Sequence, residues 1–69
     1  MASIEERFGR RVRELRRERG WSQEELAHRS GLHRTYVSSL ERGERNASLQ
    51  IVQRLADAFV IPVASLMDV

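Results

Sequence analysis

A stripe of polar side chains lies between residues 34 and 42. Its members recur at i, i+1, i+4, i+5 and i+8, which places them on one face of a helix: Arg34, Thr35, Ser38, Ser39 and Arg42. The stripe contains no acid, although the chain has ten Asp and Glu residues. Arginine and short hydroxyl side chains suit the base edges exposed in the major groove of DNA. A solvated helix face is the alternative, but such faces more often carry Glu and Lys, so the composition favours nucleic acid.

The stripe belongs to the second helix of a predicted helix-turn-helix over about residues 22–42. Its first helix, helix 2 of the chain, covers about residues 22–30 and opens on a capping-box pattern, SQEE. Its second helix, helix 3 of the chain, covers about residues 34–42. Ala27 is small where the two helices would cross, and Gly31 stands in the turn, where a positive φ is expected. The inward contacts of this unit would come from Leu26, Leu32, Val37 and Leu40.

Helix 1 is predicted to pack against this unit. It starts at Ser3, which forms a capping-box pattern with Glu6, and it stops before Gly20. Gly9 lies inside the helix, where glycine is unfavourable, so we expect another helix to approach it closely. The apolar face consists of Ile4, Phe8, Val12 and Leu15.

Two more helices complete an all-α, five-helix domain over residues 1–69. Helix 4 follows Ser48 as its N-cap, and a short helix 5 covers about Pro62 to Met67. The predicted inward face of helix 4 consists of Leu49, Val52, Leu55, Ala56 and Phe59.

Composition excludes several classes of function. The 69 residues contain no cysteine, which removes disulfides and thiolate chemistry and fits a reducing cytoplasm. His28 and His33 do not share a helical face, and no acid cluster has ligand spacing, so neither a metal site nor an enzyme is expected. No apolar run reaches the ~20 residues of a membrane span. Helix 1 is arginine-rich and amphipathic, but the core needs its apolar stripe, which argues against binding to a membrane surface.

The chain resembles the phage-repressor and Cro-like helix-turn-helix family, whose domains have the lambda-repressor-like fold. The resemblance covers about residues 8–67 and is carried by the segments RELR (13–16), GWSQEELA (20–27), SGL (30–32), YVS (36–38) and LERG (40–43). Within the family, HRTYVS (33–38) is similar to the controller proteins of restriction–modification systems.

The resemblance implies a role for each matched residue. Base contacts are expected from Arg34, Thr35, Tyr36, Ser38 and Ser39. Phosphate contacts are expected from Ser22, Gln23, His33, Arg42, Arg45 and Asn46. Gln23 would also brace the start of helix 3, while Arg16 and Glu41 would form a structural ion pair.

One short helix reads only a few base pairs, so we expect a homodimer on a pseudo-palindromic operator. The segment 60–69 carries more apolar surface than its own docking needs, which predicts an interface made of Val60, Ile61, Val63, Leu66, Met67 and Val69. The alternative is that this segment only caps the core. Val60 stands where the family has Gly, and Pro62 stands where it has Ser or Asp. The resemblance therefore does not define the path of the chain into helix 5.

The sequence therefore predicts a cytoplasmic transcriptional regulator that binds double-stranded DNA. It would repress by blocking RNA polymerase or activate by touching it, either as an autoregulating controller of a restriction–modification operon or as a small phage-like repressor. No cofactor, small-molecule ligand or membrane is expected. An antitoxin or protein-interaction module on the same fold is the alternative, and its marker would be an acidic or bulky apolar outer face on helix 3.

Overall fold

The computed structural model describes all 69 residues, which form five helices and no strand. The helices are α1 (Ile4–Glu18), α2 (Gln23–Ser30), α3 (Arg34–Glu41), α4 (Leu49–Phe59) and α5 (Val63–Leu66). The all-α, five-helix prediction is confirmed. The fifth helix is shorter than expected because Pro62 lies outside it as the capping residue, with extended backbone.

Serine side chains cap the first turns of three helices. Ser3 and Glu6 form the complete capping box predicted for α1, with both hydrogen bonds at 3.0 Å. Ser48 caps α4 by accepting from a backbone N–H in the first turn. The box predicted for α2 is only half formed. The Ser22 hydroxyl accepts from the Glu25 N–H, but the Glu25 carboxylate accepts from Arg29, one turn further on, at 2.9 Å.

The core is a single cluster of twelve buried apolar residues contributed by all five helices. It confirms the predicted inward faces except at two helix starts. Ile4 is exposed, and Leu49 is 88% exposed. Both predictions are wrong for one reason: helical periodicity gives the direction of a side chain but not the point along the helix at which the neighbouring helices end.

α1 and α3 pack with backbone against backbone at Gly9. A Cβ added there would collide with the carbonyl oxygen of Leu40 and would lie 2.9 Å from that of Glu41. The close approach expected from Gly9 is therefore confirmed. It seats the C-terminal end of α3 directly on α1.

The turn between α2 and α3 depends on Gly31. This residue has φ +71°, a left-handed conformation that glycine adopts without the steric cost that a Cβ adds. The next residue, Leu32, donates its backbone N–H to the carbonyl of Ala27 at 3.0 Å, which closes the end of α2. The Gly31 conformation and this hydrogen bond together fix the direction in which the chain continues into α3.

Trp21 holds the α1–α2 junction against α4. Its ring stacks on Phe59 with 5.7 Å between the ring centres and 7° between the planes. The Arg29 guanidinium lies over the same Trp21 ring, 4.3 Å from its centre. The helix-turn-helix is thereby fastened to the core through an aromatic pair and a cation.

α4 ends in a left-handed residue that is not glycine. Val60 has φ 56° and ψ 49°. Its N–H donates to the Asp57 carbonyl at 3.1 Å, and the Ile61 N–H donates to the Ala56 carbonyl at 3.0 Å. This is the pair of bonds that a Schellman motif makes, normally around a glycine. The helix thus ends as in the resembling family, but with a strained β-branched residue at the turn.

Candidate nucleic-acid interface

The first turn of α3 presents the polar stripe to solvent. Arg34 and Thr35 are both exposed, and Arg34 forms no ion pair. Ser38, one turn later, is half-buried. The helix has eight residues, so the face is about 12 Å long. A face of this length that offers guanidinium and hydroxyl groups fits inside a major groove.

His33 and Thr35 contact each other at the start of α3. His33 is the N-cap, and its Nδ1 accepts from the Thr35 backbone N–H at 3.2 Å. The same Nδ1 lies 2.8 Å from the Thr35 hydroxyl oxygen. The His33 ring remains exposed, so its other nitrogen is free for an outside acceptor.

Ser39 does not belong to the contact face. It is 6% exposed, its hydroxyl donates to the Tyr36 carbonyl at 3.0 Å, and the same oxygen accepts from the Arg45 Nε at 3.0 Å. The predicted base contact is therefore wrong. Each residue advances a helix by about 100°, so Ser39 is turned away from Ser38 and toward the loop after α3.

The Ser39 bond positions Arg45 beside α3. The Arg45 guanidinium also lies 5.6 Å from the centre of the Tyr36 ring, within cation–π range. Tyr36 itself is half-buried. Nε is occupied by Ser39, whereas the terminal nitrogens of Arg45 donate to no protein group.

Arg42 is held by an acid that the sequence analysis overlooked. Its Nε and Nη2 each lie 3.1 Å from the Glu44 carboxylate, and its Nη1 donates to the Ser38 hydroxyl at 2.6 Å. The hydrogen bond from Arg42 lowers the pKa of Glu44, and the same bond raises the pKa of Arg42. A phosphate must therefore compete with Glu44 for this guanidinium. Only the spacing of an acid two residues after an arginine could have indicated the pair.

A buried ion pair fixes α3 to α1. Arg16 donates from Nε to the Glu41 carboxylate at 2.7 Å and from Nη2 at 3.0 Å, while its Nη1 donates to the Trp21 carbonyl at 2.8 Å. Arg16 is 9% exposed. The bond to Glu41 raises the pKa of Arg16 despite the opposing effect of burial. The structure therefore contains the structural ion pair that the resemblance implied.

Gln23 braces the end of α3 rather than its start. Its Nε2 donates to a Glu41 oxygen at 3.1 Å. The expected brace at the start of α3 is wrong, because the start of α2 lies beside the far end of α3. One amide hydrogen of Gln23 remains available. It stands near Ser22 at the N-terminus of α2, where the helix dipole favours an anion.

Asn46 lies in the loop after α3 and is exposed. Ser22 is also exposed, with its hydroxyl occupied as the α2 cap. The predicted phosphate residues thus fall at the start of α2 (Ser22 and Gln23), at the N-cap of α3 (His33), and at the C-cap of α3 with the loop that follows it (Arg42, Arg45 and Asn46).

The C-terminal segment 60–69 presents apolar surface of its own. Val60 is 87% exposed, and Met67 and Val69 are also exposed. Ile61 and Val63 are half-buried against the core. Leu66 is 0% exposed, so its assignment to an interface is wrong: it belongs to the core that α5 completes.

The structure contains neither clustered metal ligands nor a helix that could span a membrane. No group of three His, Asp or Glu side chains is placed to hold a metal ion. None of the five helices has the length and apolar character needed to span a bilayer.

The sequence is similar to known helix-turn-helix proteins. A family model described as Helix-turn-helix matches residues 12–66. The chain is 42% identical over 62 residues to "Control protein C.BamHI" of Bacillus amyloliquefaciens, covering 88% of this chain and 76% of that protein. It is 45% identical over 64 residues to "Control protein C.SmaI" of Serratia marcescens, covering 93% and 76% of the respective chains.

The backbone is similar to that of a solved relative. The crystal structure of the restriction–modification controller protein C.AhdI from Aeromonas hydrophila superposes with a TM-score of 0.86 at 51% identity. The match covers 88% of this chain and 92% of that one.

Proposed function

Because the chain belongs to the helix-turn-helix family of DNA-binding transcriptional regulators, we propose that it binds one operator sequence as a homodimer. The observation that carries this proposal is the acid-free outer face of α3, with Arg34 and Thr35 exposed in its first turn. Neither an acidic nor a bulky apolar face is present there. Those are the features that an antitoxin or protein-interaction module would need.

We assign base reading to the first turn and the middle of α3. Arg34 would bind guanine with two hydrogen bonds, and Thr35 and Ser38 would make shorter contacts to neighbouring bases. Tyr36 would reach the edge of the site. The backbone phosphates would be held on both sides of the groove by Ser22, Gln23, His33, Arg42, Arg45 and Asn46. Such contacts set register and orientation rather than sequence preference.

The dimer would be built on the C-terminal segment 60–69. Five of its residues retain apolar surface in the single chain: Val60, Ile61, Val63, Met67 and Val69. Burying this surface against a second copy around a two-fold axis would place the two recognition helices about 34 Å apart. That is one turn of DNA, so the operator should contain two inverted half-sites.

Val60→Asn tests the interface without harming the fold. Asparagine tolerates the left-handed conformation, and the apolar Val60 side chain is the one removed. Sedimentation equilibrium should show a dimer for the wild type at micromolar concentration and weaker association for the variant. A wild type that sediments as a monomer at that concentration contradicts the dimer.

The names of two relatives support a proposal for the biological role. The similar proteins of Bacillus amyloliquefaciens and Serratia marcescens are named control proteins. We therefore propose an autoregulating controller of a restriction–modification operon. It would act in the cytoplasm by occupying promoter DNA, and it would block RNA polymerase or contact it. The action would depend on protein concentration and dimerisation, with no catalysis and no small-molecule ligand.

Selection of bound duplexes from a random library tests this function. We expect enrichment of a pseudo-palindrome whose half-site centres lie about 10 base pairs apart. Absence of any enriched sequence, together with capture of a tight protein partner, would favour the interaction module instead.

A further inference from the structure

The contact between His33 and Thr35 determines how the Thr35 hydroxyl can read a base. The inference rests on the proposed function, since it concerns the specificity of the same α3 face. Both side chains are exposed at the start of α3, and one nitrogen of His33 faces two hydrogen-bonding groups of Thr35.

The backbone amide settles which nitrogen of the ring is unprotonated. The Thr35 N–H lies 3.2 Å from Nδ1 of His33 and can only donate. Nδ1 must therefore carry a lone pair, and the hydrogen of the neutral ring must be on Nε2. The N-cap of α3 requires this tautomer, because the bond to the Thr35 amide is the side-chain cap of the helix.

The second contact then fixes the direction of the Thr35 hydroxyl. Its oxygen lies 2.8 Å from the same Nδ1. Since Nδ1 has no hydrogen, the hydroxyl must donate its only hydrogen to His33. The outward side of the Thr35 oxygen therefore carries lone pairs alone, and toward a ligand it can only accept.

An acceptor in the major groove distinguishes the bases. Adenine presents a donor at N6 and cytosine presents one at N4, whereas guanine O6 and thymine O4 are acceptors that would face the Thr35 lone pairs. We propose that His33 is a specificity-positioning residue: it orients the Thr35 hydroxyl as an acceptor, so that the protein selects a base with an exocyclic amine at that position.

Parallel duplex selections with three single variants test this role. Thr35→Ala identifies the base position that depends on the Thr35 side chain. His33→Ala frees the hydroxyl to donate as well as accept, so guanine or thymine should become tolerated there, with a loss of about tenfold in discrimination. His33→Asn should retain the wild-type preference, because its side-chain oxygen can accept from the same amide and hydroxyl. All selections are run in the same buffer at one pH.

The double variant His33→Ala/Thr35→Ala separates positioning from helix capping. Loss of a cap would weaken binding to every duplex, whereas loss of positioning changes the preference at one base. In the absence of the Thr35 hydroxyl, removing His33 should leave that base position unchanged relative to Thr35→Ala alone.

Three results overturn the inference. The wild type could prefer guanine or thymine at the Thr35-dependent position, His33→Ala could weaken all duplexes equally with unaltered preferences, or Thr35→Ala could change no position. In each case an enriched operator still supports the proposed function. If the wild type enriches no sequence, the proposed function fails, and this inference fails with it.

Discussion

Val60 offers a test of backbone strain that is separable from packing. It ends α4 with φ 56°, and it is the only non-glycine residue in the chain with positive φ. Its side chain is 87% exposed in the single chain, so replacing it removes little buried contact. Val60→Gly should therefore report the cost of placing a β-branched residue in the left-handed region.

The magnitude comes from two opposing terms. A left-handed conformation costs an L-residue about 1–2 kcal/mol, and a β-branched side chain is a genuine outlier there. Glycine removes this cost but adds about 0.5–1 kcal/mol of conformational entropy to the unfolded chain. We expect the free energy of unfolding to rise by about 1 kcal/mol, which corresponds to about 4–8 °C in Tm for a domain of this size.

The assay is thermal and urea unfolding followed by circular dichroism, at concentrations below the range in which the chain associates. Ala58→Gly is the matched control, because residue 58 lies within α4 and glycine should destabilise it by about 0.5–1 kcal/mol. An equal loss of stability in Val60→Gly and in the control would refute the strain argument. It would mean that the Val60 side chain makes contacts outweighing its conformation.

Three further outcomes are expected from substitutions around α1. Gly9→Ala should lower the free energy of unfolding by about 1–3 kcal/mol in urea titrations, despite the helix propensity of alanine, because the new Cβ meets the carbonyl oxygens of Leu40 and Glu41; a rise would contradict the close packing. Glu41→Ala should cost about 3–5 kcal/mol because it leaves Arg16 buried and unpaired, so the far-ultraviolet spectrum at room temperature should be largely that of an unfolded chain. The pKa of Glu6 lies below its ordinary 4.5, chiefly because the carboxylate accepts a backbone hydrogen bond at the α1 cap. Ionised Glu6 therefore stabilises the folded chain at neutral pH, and this stabilisation disappears as the pH falls through the pKa of the folded state. The stability difference between wild type and Glu6→Gln should thus close in acid, and a constant difference would exclude this carboxylate as its cause.

Local chemistry made much of the fold predictable. Capping serines identified where α1 and α4 begin, and Gly31 and Gly9 indicated a left-handed turn and a close helix approach. The capping and turn signals depend on a residue and its near neighbours in sequence. Gly9 differs, because it indicates that another helix comes close without saying which one. The ion pair between α1 and α3 was expected only from the resemblance to the helix-turn-helix family. The spacing of Arg16 and Glu41 in the sequence does not indicate it.

The failures concern places where distant segments meet. Ser39 fits the polar stripe by spacing, but the loop after α3 folds back and occupies its hydroxyl through Arg45. Leu49 fits an apolar face, yet no helix extends far enough to cover it. Gln23 binds Glu41, a partner on another helix that periodicity does not relate to it. Tertiary contacts of this kind are not encoded in the period of a helix.

The central claim is that the first turn of α3 reads bases. The most direct test is to measure the affinity of Arg34→Ala for the selected operator and for duplexes altered at each position. We predict a loss of about 1–3 kcal/mol on the operator and a relaxed preference at one base position. Arg13→Ala is the control: it removes the same charge from an exposed position on α1 that forms no ion pair, and it should leave base preference intact. Unchanged operator affinity in Arg34→Ala, or an equal loss on every sequence, would contradict the assignment of α3 as the recognition helix.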